Sequence, residues 1–153
     1  MTTEEKNLLL KDLSARLLYG VKCEVLCYGC KHAAKIIGLD NFTAKVIVPG
    51  TSIIKEILIT SVKLFLFPLS SMTKEQIIEF NQLGDLRIGG YPLDNESYAE
   101  PVIYPKVDSC GRYIEICEYD IIPVIDWLNA HHFDYRGLIE KGLAIDATGL
   151  NIY

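Results

Sequence analysis

Three observations predict an α+β fold: a mostly antiparallel sheet packed with about four helices in a single compact domain over residues 1–153. Helix-start signals and β-rich runs follow in the irregular order helix, strands, helix, strands, helices, not in the regular alternation of a doubly wound parallel sheet. A chain of 153 residues fits one ordinary domain and buries a core without a staple. Half its residues are apolar, no Pro/Ser/Gly-rich linker divides it, and no period of about 20 to 50 residues repeats.

Thr2 and Glu5 have capping-box spacing, and Leu10, Leu13 and Leu17 fall on one helical stripe with Lys6, Lys11 and Asp12 mostly elsewhere, so an opening helix ends near Gly20. Val21 to Leu26 reads as a strand, Cys30 to Ile37 as a short helix closed by Gly38, and Ala44 to Pro49 as a second strand. The β-branched and aromatic run from Ile57 to Phe67 predicts one strand stopped by Pro68. Thr73 and Gln76 repeat the capping-box spacing ahead of Ile77, Ile78 and Phe80, the clearest helix start in the chain. Gly84 to Glu100 carries turn chemistry, and Pro101–Val107 with Gly111–Cys117 predict a hairpin around Asp108 to Gly111. A helix from about Ile122 to Ala130 follows. Asp134 is placed to cap a last helix through Lys141, stopped by Gly142, with Leu143 to Ala147 extended.

A net charge of −5, with no basic run, argues against sequence-independent binding to nucleic acid. The acidic start is unlike a secretory signal, and the ten uncharged residues between Lys63 and Lys74 fall short of the roughly 20 that span a bilayer, so a soluble cytoplasmic protein off the membrane is expected. Five cysteines in such a compartment are expected as reduced thiols.

Cys23, Cys27 and Cys30, at C-x3-C-x2-C spacing, resemble the cluster motif of radical S-adenosylmethionine enzymes, which implies a 4Fe-4S cluster on those three thiolates. Gly89-Gly90-Tyr91-Pro92 is similar to that family's Gly-Gly-acid-Pro stretch, with Tyr91 in place of the carboxylate. Zinc is the other metal alternative, with Cys27 and Cys30 as half a site completed by Cys110, Cys117 or a histidine. Against both stands the frequent burial of free cysteine as a small apolar residue, and packing without metal or cofactor is the first expectation.

The segment Asp126 to Gly137 holds the only tryptophan, two of the three histidines and an Asp-Tyr-Arg triplet. Trp, Tyr and Arg dominate binding energies at interfaces, which makes Trp127, His131, His132, Asp134, Tyr135 and Arg136 the candidate binding residues. A purely structural reading puts Trp127, Leu128 and Phe133 in the core, Asp134 at a helix cap, Tyr135 and Arg136 in solvent, and one of the two adjacent histidines buried. His132-Phe-Asp134 also matches the start of a facial-triad iron site, but no histidine lies downstream.

Leu18-Tyr-Gly-Val-Lys-Cys23, Pro68-Leu-Ser-Ser-Met-Thr73 and Asp126-Trp-Leu-Asn-Ala-His-His-Phe-Asp-Tyr-Arg-Gly-Leu-Ile-Glu-Lys-Gly-Leu-Ala144 together resemble a family of small uncharacterised proteins carried by gut bacteria and their phages or mobile elements. The resemblance spans most of the chain and implies genomic context, with no activity or catalytic residue to carry over. The sequence contains no nucleophile elbow, phosphate loop, H-E-x-x-H or spaced G-x-G-x-x-G. The expectation is a noncatalytic binding or regulatory protein acting on a host protein or small ligand. The alternatives are a metal or iron–sulfur enzyme organised by the cysteines, and a chain that mainly assembles with itself as a homo-oligomer.

Overall fold

A computed structural model describes residues 1–27, 29–84, 86–89, 102–106, 108–112 and 118–153. The chain packs as two compact units: residues 1–67 with 132–153, and residues 68–131.

The first unit opens with α1 (Thr3–Arg16), started by a reciprocal capping box in which Glu5 N donates to Thr2 Oγ1 at 3.1 Å and Thr2 N donates to Glu5 Oε2 at 2.6 Å. Its buried face is Leu9, Asp12, Leu13 and Arg16, spaced i, i+3, i+4, i+7. That face shares only Leu13 with the stripe read from the sequence, and it turns Asp12 inward instead of outward. A 3₁₀ turn over Leu17–Tyr19 and Gly20 at φ +71° end the helix.

β1 (Lys22–Cys27) and β2 (Cys30–Leu39) pair antiparallel, with Cys27 opposite Cys30 and Gly29 at φ +79°. The helix expected over Cys30 to Ile37 is therefore a strand. Ala34 and Ile36 point into the core while Lys35 and Ile37 are exposed, a period of two that pairing with β1 imposes. β3 (Thr43–Ile47) pairs with β2, and β4 (Ile54–Leu58) with β3.

The single strand expected from Ile57 to Phe67 is broken: a 3₁₀ turn at Ile59–Ser61, closed by Val62 N donating to Ile59 O, separates β4 from β5 (Leu64–Pro68). Thr60 and Ser61 are exposed at this turn while Ile59 and Val62 are buried on either side, so the apolar run folds back on the core. After residues 68–131 the unit resumes with β8 (Phe133–Asp134) and β9 (Ala144–Asp146), the latter parallel to β5. Strand order in this seven-stranded, mainly antiparallel sheet is β4-β3-β2-β1-β5-β8, with β9 also on β5. Leu9 and Leu13 of α1 join Val21, Cys23, Ala34, Ile36, Val46, Leu64 and Leu66 in one apolar cluster against it.

The second unit contains α2 (Lys74–Phe80), the two-stranded sheet of β6 (Leu86–Gly89) and β7 (Val102–Pro105), and α3 (Glu118–Ala130). The predicted capping box at Thr73 and Gln76 is present, with Gln76 N donating to Thr73 Oγ1 at 3.2 Å and Thr73 N to Gln76 Oε1 at 2.9 Å. Leu86 to Gly89, expected within a turn-rich segment, is a strand, and α3 begins about one turn earlier than expected. Asp108 Oδ1 accepts from Cys110 N and Arg112 N, which forms the predicted turn with Gly111 at φ +76°. Gly90 to Pro101, including Tyr91-Pro92 of the Gly-Gly-Tyr-Pro stretch, and Tyr113–Cys117 of the expected hairpin lie outside the described residues.

Among the described residues there are three α-helices rather than about four. Two of the expected helices are absent: the one over Cys30 to Ile37, which is a strand, and the last. Asp134 does accept the N–H groups of Arg136, Leu138 and Ile139 at 3.3, 2.9 and 2.7 Å, as a cap should. Gly137 at φ +69° then breaks the backbone into a left-handed step inside the segment, which stays a series of turns, while Gly142 at φ +66° is left-handed at the expected stop.

Candidate functional site

The helical spacing of α1 places Asp12 and Arg16 one above the other on its buried face, and both side chains are fully shielded from solvent. Arg16 Nε donates to Asp12 Oδ2 at 2.7 Å and Nη2 to Phe133 O at 2.7 Å. The other carboxylate oxygen, Asp12 Oδ1, is 3.1 Å from Arg136 Nε. Tyr135 lies between the two cations: its ring centroid is 5.3 Å from the Arg16 guanidinium and 4.8 Å from that of Arg136, and its hydroxyl accepts from Arg136 Nη2 at 2.9 Å.

Burial pushes the Asp12 carboxyl up from its ordinary value; Arg16 and Arg136 pull it back down, and nearby Asp134 adds to the rise. Asp134, itself buried, is committed to the three backbone N–H groups that hold the turn carrying Arg136. The result is a polar cluster in which half-buried Tyr135 and Arg136 are the members nearest solvent, with Arg136 positioned from behind by the Asp12 carboxylate and Tyr135 by the two guanidinium groups.

The six candidate residues are divided between the two units. His132, Asp134, Tyr135 and Arg136 belong to the first unit; Trp127 and His131 belong to the second. Trp127, Leu128 and Phe133 are buried as core residues, as the structural reading expects. His131 stacks on Trp127 with centroids 4.0 Å apart, and its Nδ1 donates to Trp127 O at 2.9 Å. His132 is the buried one of the pair and His131 is half-buried.

His132 adopts φ +59°, a left-handed conformation uncommon outside glycine, and stacks on Tyr153 with centroids 3.8 Å apart. The Tyr153 hydroxyl donates to Phe65 O at 2.9 Å and accepts from Lys22 N at 3.1 Å; burial of this end pushes its ionisation up to about 12. Tyr135 and Arg136, expected in solvent, are instead half-buried because Asp12 and Arg16 draw them onto α1.

Asp12 and Arg16 are the site residues that sequence reasoning missed. The signal was available: their i, i+4 spacing matches that of Leu9 and Leu13 on the same helix.

Cys23 faces the core opposite Ala34, and burial raises its thiol to about 12. Cys30, opposite Cys27 at the other end of the β1–β2 pair, is exposed, as is Cys110. Four residues of strand, about 13 Å, separate the Cys23 and Cys27 backbones. The Cys27 side chain lies outside the described residues. Among the described residues, no three His, Cys, Asp or Glu side chains converge as a metal would require, and no helix is long and apolar enough to cross a membrane.

A cleft of about 330 Å³ in the first unit is lined by Thr60, Ser61, Lys63, Lys141 and Gly142, with Lys63 Nζ donating to Gly142 O at 2.7 Å. The chain matches no protein-family model, no curated protein and no solved structure.

Proposed function

We propose that this chain is a noncatalytic binding or regulatory protein, of phage or mobile-element origin, that acts on a host protein or small ligand through Tyr135 and Arg136. The observation that carries the reading is the support beneath those two side chains. Asp12 and Arg16 are fully buried, yet they hold a tyrosine and an arginine at the edge of solvent in one geometry. Tyrosine and arginine bind best when little side-chain freedom is left to lose on contact.

The test is a pull-down from lysate of the host bacterium with wild-type protein and with Arg136→Lys. Lysine keeps the positive charge that faces Asp12 but loses the planar fork that meets Tyr135 and a partner. An unchanged melting temperature with a partner lost or several-fold depleted is the expected result. Equal recovery of every captured protein by the folded variant would remove Tyr135 and Arg136 as the binding surface.

A further inference from the structure

Strand β4 ends the larger sheet, and among the described residues it pairs with β3 alone. Its two ends reveal which backbone groups are spoken for. Ile53 O accepts from Val48 N at 3.3 Å, and Ile59 N donates to Phe42 O at 2.8 Å, both on the β3 side. In an antiparallel ladder the N–H and C=O of one residue point the same way, and successive residues alternate. Ile53, Lys55, Ile57 and Ile59 therefore face β3, while the N–H and C=O groups of Ile54, Glu56 and Leu58 face outward. The same residues carry their side chains on the open face of the sheet, where Ile54 is 58% and Leu58 59% exposed.

We propose that this edge is an interface between two copies of the chain, with β4 pairing antiparallel to β4 of the second copy about a two-fold axis at Glu56. A two-fold axis normal to the sheet preserves its faces, so opposed residues have like parity. Centring on Glu56 is the register that meets every outward-facing group of β4: Glu56 opposes Glu56, and Ile54 opposes the second copy's Leu58.

The side chains fit the same register. Ile54 is opposite Ile47 and Leu58 is opposite Thr43 within one copy, so two rows across the seam read Ile47, Ile54, Leu58, Thr43. Exposed aliphatic side chains that face solvent in one copy face each other in two. The central row reads Lys45, Glu56, Glu56, Lys45, because Lys45 Nζ is 3.5 Å from Glu56 Oε1. Those charges sum to zero, and each lysine offsets the repulsion between glutamates at the axis. A lone charge on an edge strand ordinarily discourages pairing; here its counter-charge is already in place on β3.

Sedimentation velocity over a concentration series, together with amide hydrogen exchange, tests this. Wild-type protein is expected to pass from monomer to dimer with concentration, and the amides of Ile54, Glu56 and Leu58 gain protection in the dimer. Leu58→Lys, at an exposed position, is expected to weaken the dimer by at least about tenfold, and Lys45→Glu to weaken it also by leaving the central row all negative. The double variant Lys45→Glu/Glu56→Lys restores the neutral row and with it the dimer. A protein that stays monomeric at concentrations on the order of a millimolar, or a dimer indifferent to all three variants, would overturn the proposal. The circular dichroism of each variant verifies that it is folded.

Discussion

Replacing Asp12 by alanine tests the buried cluster most directly, and its cost can be worked from the contacts. Asp12 shields two cations of unequal standing. Arg16 is fully buried and, without Asp12, loses the carboxylate that faces its Nε while keeping its bond to the Phe133 carbonyl and the Tyr135 ring face. The Arg136 side chain retains 20% of its exposure and can turn toward water, so its share is the smaller. Removing one member of a buried pair costs about 3–5 kcal/mol, because the other is left charged and dry. Burial already holds the Asp12 carboxyl above its ordinary value, which means that part of the attraction is spent on desolvation. The loss should therefore lie at the lower end, about 3 kcal/mol. Urea unfolding followed by far-ultraviolet circular dichroism at neutral pH reads it directly. The companion variant Asp12→Leu/Arg16→Met removes both charges and should lose only about 1–2 kcal/mol, for the lost bond from Arg16 to the Phe133 carbonyl, which still accepts from Tyr135 N, and for the carboxylate removed from partly exposed Arg136. If Asp12→Ala costs under about 1 kcal/mol, or if the double variant is as unstable as the sum of the two single ones, the cluster is not held together by the buried charge pair.

Two further outcomes are expected. The Asp40 carboxylate accepts from Phe42 N, Thr43 N and Thr43 Oγ1, all at 2.7 Å, and these bonds, the one from Phe42 first, hold its carboxyl below the usual 3.8. A group lowered on folding contributes stability above its unfolded value and loses it as pH falls through the folded one. The stability difference between wild type and Asp40→Ala should thus be full at neutral pH and shrink below 3.8; acid unfolding curves that stay parallel down to the lowest pH would contradict it. Thiol alkylation read by peptide mass spectrometry should modify Cys30 and Cys110 in native protein and spare Cys23, whose buried thiol ionises only near 12, until denaturant is added. Native labelling of Cys23 as fast as Cys30 would refute that assignment.

What was legible in the sequence was chemistry that acts over a few residues. Both capping boxes, at Thr2 and Thr73, are visible because donor and acceptor lie three positions apart and need nothing else. Asp134 is legible as a cap for the same reason, whereas the helix it was expected to cap is interrupted at Gly137, in left-handed backbone. Cys30 to Ile37 reads equally as helix or strand, since its alanines and isoleucines satisfy either period. Pairing to β1 and β3, its neighbours on either side in the chain, selects the strand. Trp127 and Phe133 are legible as core from residue type alone. Beyond the i, i+4 pair of Asp12 and Arg16 the polar cluster is not, because Arg16 finds its carbonyl partner 117 residues away at Phe133, and nothing at either position announces the other.

Phe67 N donates to His132 O at 2.9 Å, which brings the departure and return points of residues 68–131 within one hydrogen bond of each other on the first unit. The chain thus has the layout of a host polypeptide interrupted by a guest. Loop-closure entropy grows only with the logarithm of length, by about 0.6 kcal/mol per doubling, so the host tolerates a long excursion nearly as well as a short one. Swapping the guest for a brief glycine–serine tether would leave the seven-stranded scaffold with both halves of its strand set still within reach.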